Sequence, residues 1–317
     1  MNIITPIDKL EEVEPLLQEG VDEFYGGFIP KEWIDKYTIY ASINQRYFES
    51  AQIKTFDDLK AIVDKVHSFG KKFYFTMNST LYSPSQYDMI DGLIGKLKDV
   101  GVDEIIVADV GLILLINQTG TDMPMHISTL GKAYNYKTVE FFRDLGIKRI
   151  VLPRHLTFPE MKQIVEKCPD IEYDVFMLIG KCPNIEGYCT FQHTSDKKRW
   201  PCEISYDTSA CCDSAQSKKS IESQELWSKI ERRFSCGLCA LKKIDGMKIR
   251  ALKIVGRGAP LKMKVANVRL LKHAVSLLDE NLSDVEYYKR VKAAYKERFG
   301  CDCMPHNCYY PEFYNLS

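Results

Sequence analysis

Hydrophobic positions in the first 180 residues fall into a repeated order: a short apolar run, a polar loop, a helical stripe of apolar positions, then a glycine leading into the next run. Nearly continuous apolar runs alternating with helices predict parallel strands buried on both faces. The stretch before Gly70 shows the helical half of the unit. Thr55 stands where an N-cap is needed, and Phe56, Leu59, Ile62, Val63, Val66 and Phe69 recur at helical spacing. Thr157 and Glu160 have capping-box spacing for a later helix, with Pro159 in its first turn. Gly20-Val21-Asp22-Glu23, Gly101-Val102-Asp103-Glu104 and Gly146-Ile147-Lys148-Arg149 are three versions of one junction, from helix end to strand start.

The strand candidates are Ile3–Thr5, Glu23–Gly26, Lys72–Met77, Glu104–Ala108, Met123–Ser128, Arg149–Pro153, Glu172–Leu178 and Ala251–Val255. Eight such units predict an α/β chain folded as a closed (β/α)8 TIM-type barrel. The glycine-rich phosphate fingerprint of a dinucleotide-binding sheet is missing after the first strand. Between strands seven and eight lies a cysteine-rich insertion, residues 180–245, and the chain ends in a charged helix and tail, 282–317. Residues 1–317 read as a single barrel domain, whose insertion leaves the C-terminal face of the strands, where this architecture places its active sites.

Composition narrows the picture. Lysine plus arginine equal aspartate plus glutamate at 43 each, so no global field draws the chain to nucleic acid or an anionic membrane. The N-terminus has no basic segment followed by an apolar one, and no apolar run reaches the ~20 residues of a membrane span, so a cytoplasmic protein is expected. Of the 11 cysteines, none precedes Cys168 and ten follow residue 180. Clustered cysteines in such a chain point to metal binding rather than a disulfide framework.

The strongest pattern is Cys182, then Cys189, then Cys202, then the tight pair Cys236 and Cys239. Four thiolates from one insertion suit either an iron-sulfur cluster or a structural zinc, and their spacing leaves both open. The tail adds Cys301, Cys303 and Cys308 with His306 among them. These form a second metal site, or cap the first with Cys211 or Cys212 contributing.

Several phrases resemble the U32 peptidase family, the collagenase-like group. They are FYGG at Phe24 to Gly27, the strand ending at Asn78, IVAD ending at Asp109, MHIST beginning at Met125, VLPRHL around Arg154, DVFMLIGKC running into Cys182, and LKIVGR ending at Arg257. The resemblance implies a four-iron, four-sulfur cluster on Cys182, Cys189, Cys202 and Cys239, with Cys236 competing for the fourth place. It also implies oxygen-independent hydroxylation, of an RNA base or a ring such as that of ubiquinone, more than proteolysis. No Gly-x-Ser-x-Gly elbow or His-Glu-x-x-His stands in the chain. The chain departs from the family pattern at His155, Ile179 and Val255, where relatives carry glutamate, histidine and glutamate. These positions are at strand ends, which points to a substrate of its own.

The same strand ends supply the pocket candidates: Tyr25, Asn78 and Arg257 for substrate binding, and Asp109, His126 and Arg154 for catalysis. His126 reads as a general acid or base, or as a neutral histidine satisfied by a neighbour. Arg154 and Arg257 read as clamps for a carboxylate or phosphate, or as structural ion pairs. Asp109 reads as a pocket residue or the cap of the next turn. The basic run from Lys242 to Lys272, broken only by Asp245, is either a phosphate-binding patch or a solvated helix face. The expected partners are a small-molecule or RNA substrate and an oxygen or electron donor, with a partner subunit or a second copy also open. The alternatives are a peptide-processing enzyme and a zinc-stabilised barrel without catalytic function.

Overall fold

Eight parallel strands pair in chain order, and the last returns to the first, so no strand edge is left open. They are β1 (Asn2–Pro6), β2 (Glu23–Gly26), β3 (Lys72–Met77), β4 (Glu104–Val107), β5 (Met125–Ile127), β6 (Arg149–Val151), β7 (Glu172–Leu178) and β8 (Ile249–Ile254). This is the expected (β/α)8 barrel. The computed structural model describes residues 1–37, 43–46, 48–182, 185–188, 209–210, 212–228 and 231–314. Among the described residues no helix is long and apolar enough to cross a membrane.

All eight expected strands are present, and the differences at their ends have local causes. β5 begins after Pro124, which has no N–H to give a ladder, although its carbonyl accepts from Ile105 at 2.9 Å. β8 starts at Ile249, earlier than expected, because it pairs with Tyr173 across a register shift.

The outer helices are α1 (Val13–Gln18), α2 (Lys31–Lys36), α3 (Phe56–Ser68), α4 (Tyr87–Val100), α5 (Val110–Thr119), α6 (Tyr136–Asp144) and α7 (Phe158–Lys167). Thr55 caps α3 by accepting from the Asp58 N–H at 3.0 Å, and the capping box of Thr157 and Glu160 starts α7. Gly101 ends α4 with φ 89°, a left-handed turn that a side chain would resist. Apolar side chains of the strands and helices merge into one continuous core.

Inside the barrel, alternate strand positions face the axis. Ile4, Tyr25, Tyr74, Ile106 and Ala251 form a separate apolar band there. The buried ionisable residues Glu23, Arg149, Asp174 and His126, on β2, β6, β7 and β5, make the barrel floor. Two residues after Tyr74, His126 and Asp174 come Thr76, Ser128 and Phe176, which open onto the mouth.

Beyond β7 the described chain includes α8 (Ala215–Ser228) and α9 (Leu241–Ile244); α10 (Leu261–Ser276) and α11 (Asp284–Phe299) follow β8. α11 buries Tyr287, Tyr288, Val291 and Tyr295, so it is part of the packed body. The tail then folds back to the insertion. Cys236 bridges both Leu178 and Cys308, and its carbonyl accepts from the Tyr309 N–H at 2.8 Å.

The basic run from Lys242 to Lys272 is not a continuous surface patch, because its cations face different ways. Lys253 and Lys264 are buried, Arg257 points into the mouth, and Lys242 and Lys243 pair with Asp284. Lys264 donates to Asp8 at 2.6 Å and to Glu12 at 2.7 Å, which ties α10 to the end of β1.

Candidate active site at the barrel mouth

A cavity sits at the C-terminal ends of the strands and measures about 890 Å³ including its open mouth. Its walls are apolar where strand residues face inward, at Tyr25, Ile106, Val151 and Phe176. Polar groups converge from the loops and the last strand: Asn78, Ser128, Arg154, Glu186, Lys253 and Arg257. Apolar walls with few directed polar groups are the usual form of a small-ligand site.

Arg257 enters from the loop after β8. It donates to the Thr76 hydroxyl at 2.7 Å and to the Asn44 carbonyl at 2.6 Å. Gly27 makes room for it: a Cβ there would collide with Arg257, Asn44 and Thr76. Burial pulls the guanidinium down to about 10, and among the described residues no carboxylate lies within ion-pair distance.

Lys253, on β8, is 4% exposed, with its ammonium 4.1 Å from the centre of the Tyr25 ring and 5.8 Å from that of Phe176. Burial lowers it to about 8, against a weaker opposing pull from Asp174. It too has no carboxylate partner among the described residues. Sequence reading missed Lys253, although a lone lysine at an inward position of the otherwise apolar Ala251–Val255 run was the available signal.

Arg154 behaves differently. Its backbone N–H and its Nε donate to the two carboxylate oxygens of Glu186 at 2.7 and 2.8 Å, its Nη1 reaches the Gly180 carbonyl, and its guanidinium lies 4.6 Å from the Phe176 ring centre. Glu186 is 1% exposed. Burial alone would raise its carboxyl, but the Arg154 charge and hydrogen bonds hold it below the usual range. Arg154 therefore makes a structural ion pair on the cavity wall. Glu186 lies between Cys182 and Cys189, and no sequence pattern pointed to it.

Tyr25 and Asn78 line the cavity as expected. The Tyr25 hydroxyl donates to the Ile254 carbonyl at 2.9 Å, which fixes its ring against β8. Asn78 donates to the Ser128 hydroxyl at 3.2 Å, while its own amide oxygen is buried without a partner. A buried acceptor of this kind is one a ligand donor would satisfy.

Two expected catalytic residues lie outside the mouth. Asp109 caps α5, accepting from the Leu112 N–H at 2.7 Å, and does not line the cavity. His126 is wholly buried one layer below, where its Nε2 meets Glu104 and its ring packs 4.6 Å from that of Tyr74. Burial holds the imidazole below its ordinary value and so favours the neutral ring, against the opposing pull of Glu104. Its place beneath the apolar band follows from the inward period of β5: Ser128, two residues later, is the one that reaches the cavity.

The four cysteines that the family resemblance nominates do not share one described site. Cys182 lines the mouth, Cys239 lines another cavity with Cys236, Cys303 and Cys308, and Cys189 and Cys202 lie outside the described residues, as does Cys211. Cys212 is exposed on the insertion, and Cys301 is half-buried against the core. Among the described residues, Cys182 and Cys239 line different cavities.

Comparison with known proteins places this arrangement in a family. The sequence profile described as peptidase family U32 matches residues 8–306. The tRNA hydroxylation protein P of Escherichia coli strain K12 is 26% identical over 196 residues, covering 62% of this chain and 40% of the relative. The protein of that name from Helicobacter pylori strain J99 is 24% identical over 322 residues, 99% of this chain and 67% of its own. The 23S rRNA 5-hydroxycytidine synthase of E. coli is 28% identical over 139 residues, 43% of this chain and 20% of that protein. The chain thus spans about two-fifths of the first relative's length.

Proposed function

The chain belongs to peptidase family U32, and from that premise we propose that it is a redox enzyme that hydroxylates a planar ring, an RNA base or a small molecule, at the barrel mouth. The observation that carries this reading is the chemistry of the cavity: aromatic and aliphatic walls beside two buried cations, Lys253 and Arg257, that form no ion pair with a described carboxylate. A ring fits the walls, and an anionic group on it or beside it supplies the missing charge. Val255 lines the same cavity at a position where the family resemblance implies a glutamate, an acid that would offset those cations. The hydroxylase names of the relatives support the reaction type.

The net change is replacement of a ring C–H by C–OH, with the oxygen atom and the two-electron oxidation coming from a donor other than dioxygen. This chain's residues bind and orient. Phe176 and Tyr25 flank the ring, Asn78 accepts a donor on its edge, and Lys253 and Arg257 hold the anion. An iron-sulfur cluster would supply electron transfer; the family resemblance attaches it to Cys182, Cys189, Cys202 and Cys239. Proteolysis gains no support from the mouth, whose described lining contains no histidine to activate a hydroxyl or thiol.

The test is to express the chain, under anaerobic conditions, in cells lacking their own RNA hydroxylases and to digest their RNA to nucleosides for mass spectrometry. One added oxygen on a pyrimidine nucleoside is expected, and its loss in Arg257→Met. Unchanged nucleosides together with cleavage of a peptide library would replace this reading with a peptidase.

A further inference from the structure

The tight cysteine pair of the insertion and the tail meet at a second cavity, separate from the mouth and walled by Cys236, Cys239, Cys303 and Cys308. All four are free thiols, and Cys236, Cys239 and Cys308 are buried. Their backbones are already joined. Cys236 bridges Cys308 in parallel, its N–H donates to the Asn307 carbonyl at 3.2 Å, and its carbonyl accepts from Tyr309 at 2.8 Å. The four side chains feel one another electrostatically: Cys236 is influenced by Cys308, Cys239 and Cys303, and Cys239 by Cys308 and Cys303.

The surroundings carry compensating charge. Lys181 donates to the Cys308 carbonyl at 2.5 Å and favours that residue's thiolate, while Lys292 favours the thiolates of Cys239 and Cys303. A divalent ion on four thiolates carries two net negative charges, and two lysines beside it match them.

We propose that Cys236, Cys239, Cys303 and Cys308 are the ligands of a structural zinc ion that fastens the tail to the insertion. A Cys-x-x-Cys pair chelates one ion, and the second pair arrives on the segment bridged to it. Sulfurs around a tetrahedral zinc lie roughly 3.8 Å apart, given Zn–S of about 2.3 Å. Neighbouring backbones about 4.8 Å apart put residues 236 and 308 side by side, within reach of one ion. Among the described residues no three donors are yet drawn around one point, so the ion gathers the side chains by rotation about their Cα–Cβ bonds. Cys239 is thereby a zinc ligand and not the fourth ligand of a cluster with Cys182. The site also steadies the mouth: Tyr309, next to Cys308, donates to the carbonyl of Ile179, where the chain turns left-handed at Ile179 and Gly180 before Cys182.

The experiment is elemental analysis of the full chain, purified anaerobically, beside a Cys303→Ser, Cys308→Ser double variant. About one zinc per wild-type chain is expected, falling at least tenfold in the double variant with iron and sulfide unchanged. A wild-type chain that holds no zinc and takes none up overturns the proposal. So does iron that falls with the tail substitutions, or disulfides found among the four thiols. Should the double variant not fold, the wild-type chain loaded with cobalt is decisive: absence of the visible bands of a tetrahedral cobalt thiolate overturns the site. None of these readouts depends on RNA hydroxylation, so the two readings fail separately.

Discussion

The floor and the mouth of this barrel are both rich in buried charge, yet they differ in whether that charge is answered. On the floor, Arg149 donates through Nε to Asp174 at 2.9 Å, through Nη2 to Glu23 at 2.5 Å and through Nη1 to the Tyr74 hydroxyl at 3.0 Å. Glu23 also accepts from Asn2 at 2.6 Å. Burial alone would raise Glu23, but Arg149 holds it below the usual carboxylate range. In the mouth, Lys253 on β8 and Arg257 just after it have no ion-pair partner among the described residues and Asn78 keeps an unpaired oxygen. A satisfied network fixes a fold; cations and acceptors left open in a cavity await a ligand.

The largest effect that sharpens this comparison is on the floor. Arg149→Met leaves Glu23 and Asp174 buried without a counter-charge and should cost about 3–5 kcal/mol in urea unfolding. A loss below about 1 kcal/mol would show that the network is not closed as described.

Arg257→Met removes a charge from the mouth without stranding a carboxylate. It should weaken substrate binding at least tenfold, equivalent to about 1.4 kcal/mol, and leave the urea midpoint nearly unchanged. The reverse pattern, full binding with a large loss of stability, would move Arg257 into the structural class.

Lys253 gives a pH signature. The ammonium is lost as pH rises through about 8, so affinity for an anionic substrate should fall above that pH, and Lys253→Met should flatten the profile. The stability effect has the opposite sense. The folded value of about 8 lies below the ordinary 10.5, so the unfolded chain binds more protons between them, and the cost of burying Lys253 eases as pH rises through that window. That cost is roughly 3 kcal/mol in full below pH 8, and the methionine variant should recover part of it in chemical denaturation at pH 7.

The smallest effect is expected at His126. Buried beneath the apolar band, it does not meet a ligand in the mouth, so His126→Gln should keep kcat within about threefold of wild type. A loss of a hundredfold or more with stability retained would restore it as a catalytic group.

Much of the fold was legible because its rules are local. Apolar periodicity located all eight strands, Thr55 and Thr157 announced their helices, and eight repeats implied closure. Tyr25, Asn78 and Arg257 were recognisable as mouth residues because strand ends point there. His126 was misplaced by one layer, since the period of a strand says which residues face inward but not where the cavity stops. Arg154 left two readings open until its partner was known, and that partner, Glu186, comes from the insertion.

By itself, then, the sequence determined the barrel, the family and the segregation of cysteines into the second half, because periodicity, caps and spacing are properties of neighbouring residues. Tertiary structure alone decided which charges are answered and which thiols meet. Arg149 finds Glu23 across 126 positions of chain, and Cys236 finds Cys308 only because the tail folds back onto the insertion. The physical reason is that a buried charge or thiol takes its chemistry from whatever closure of the barrel brings within a few ångströms, and no local pattern encodes that partner.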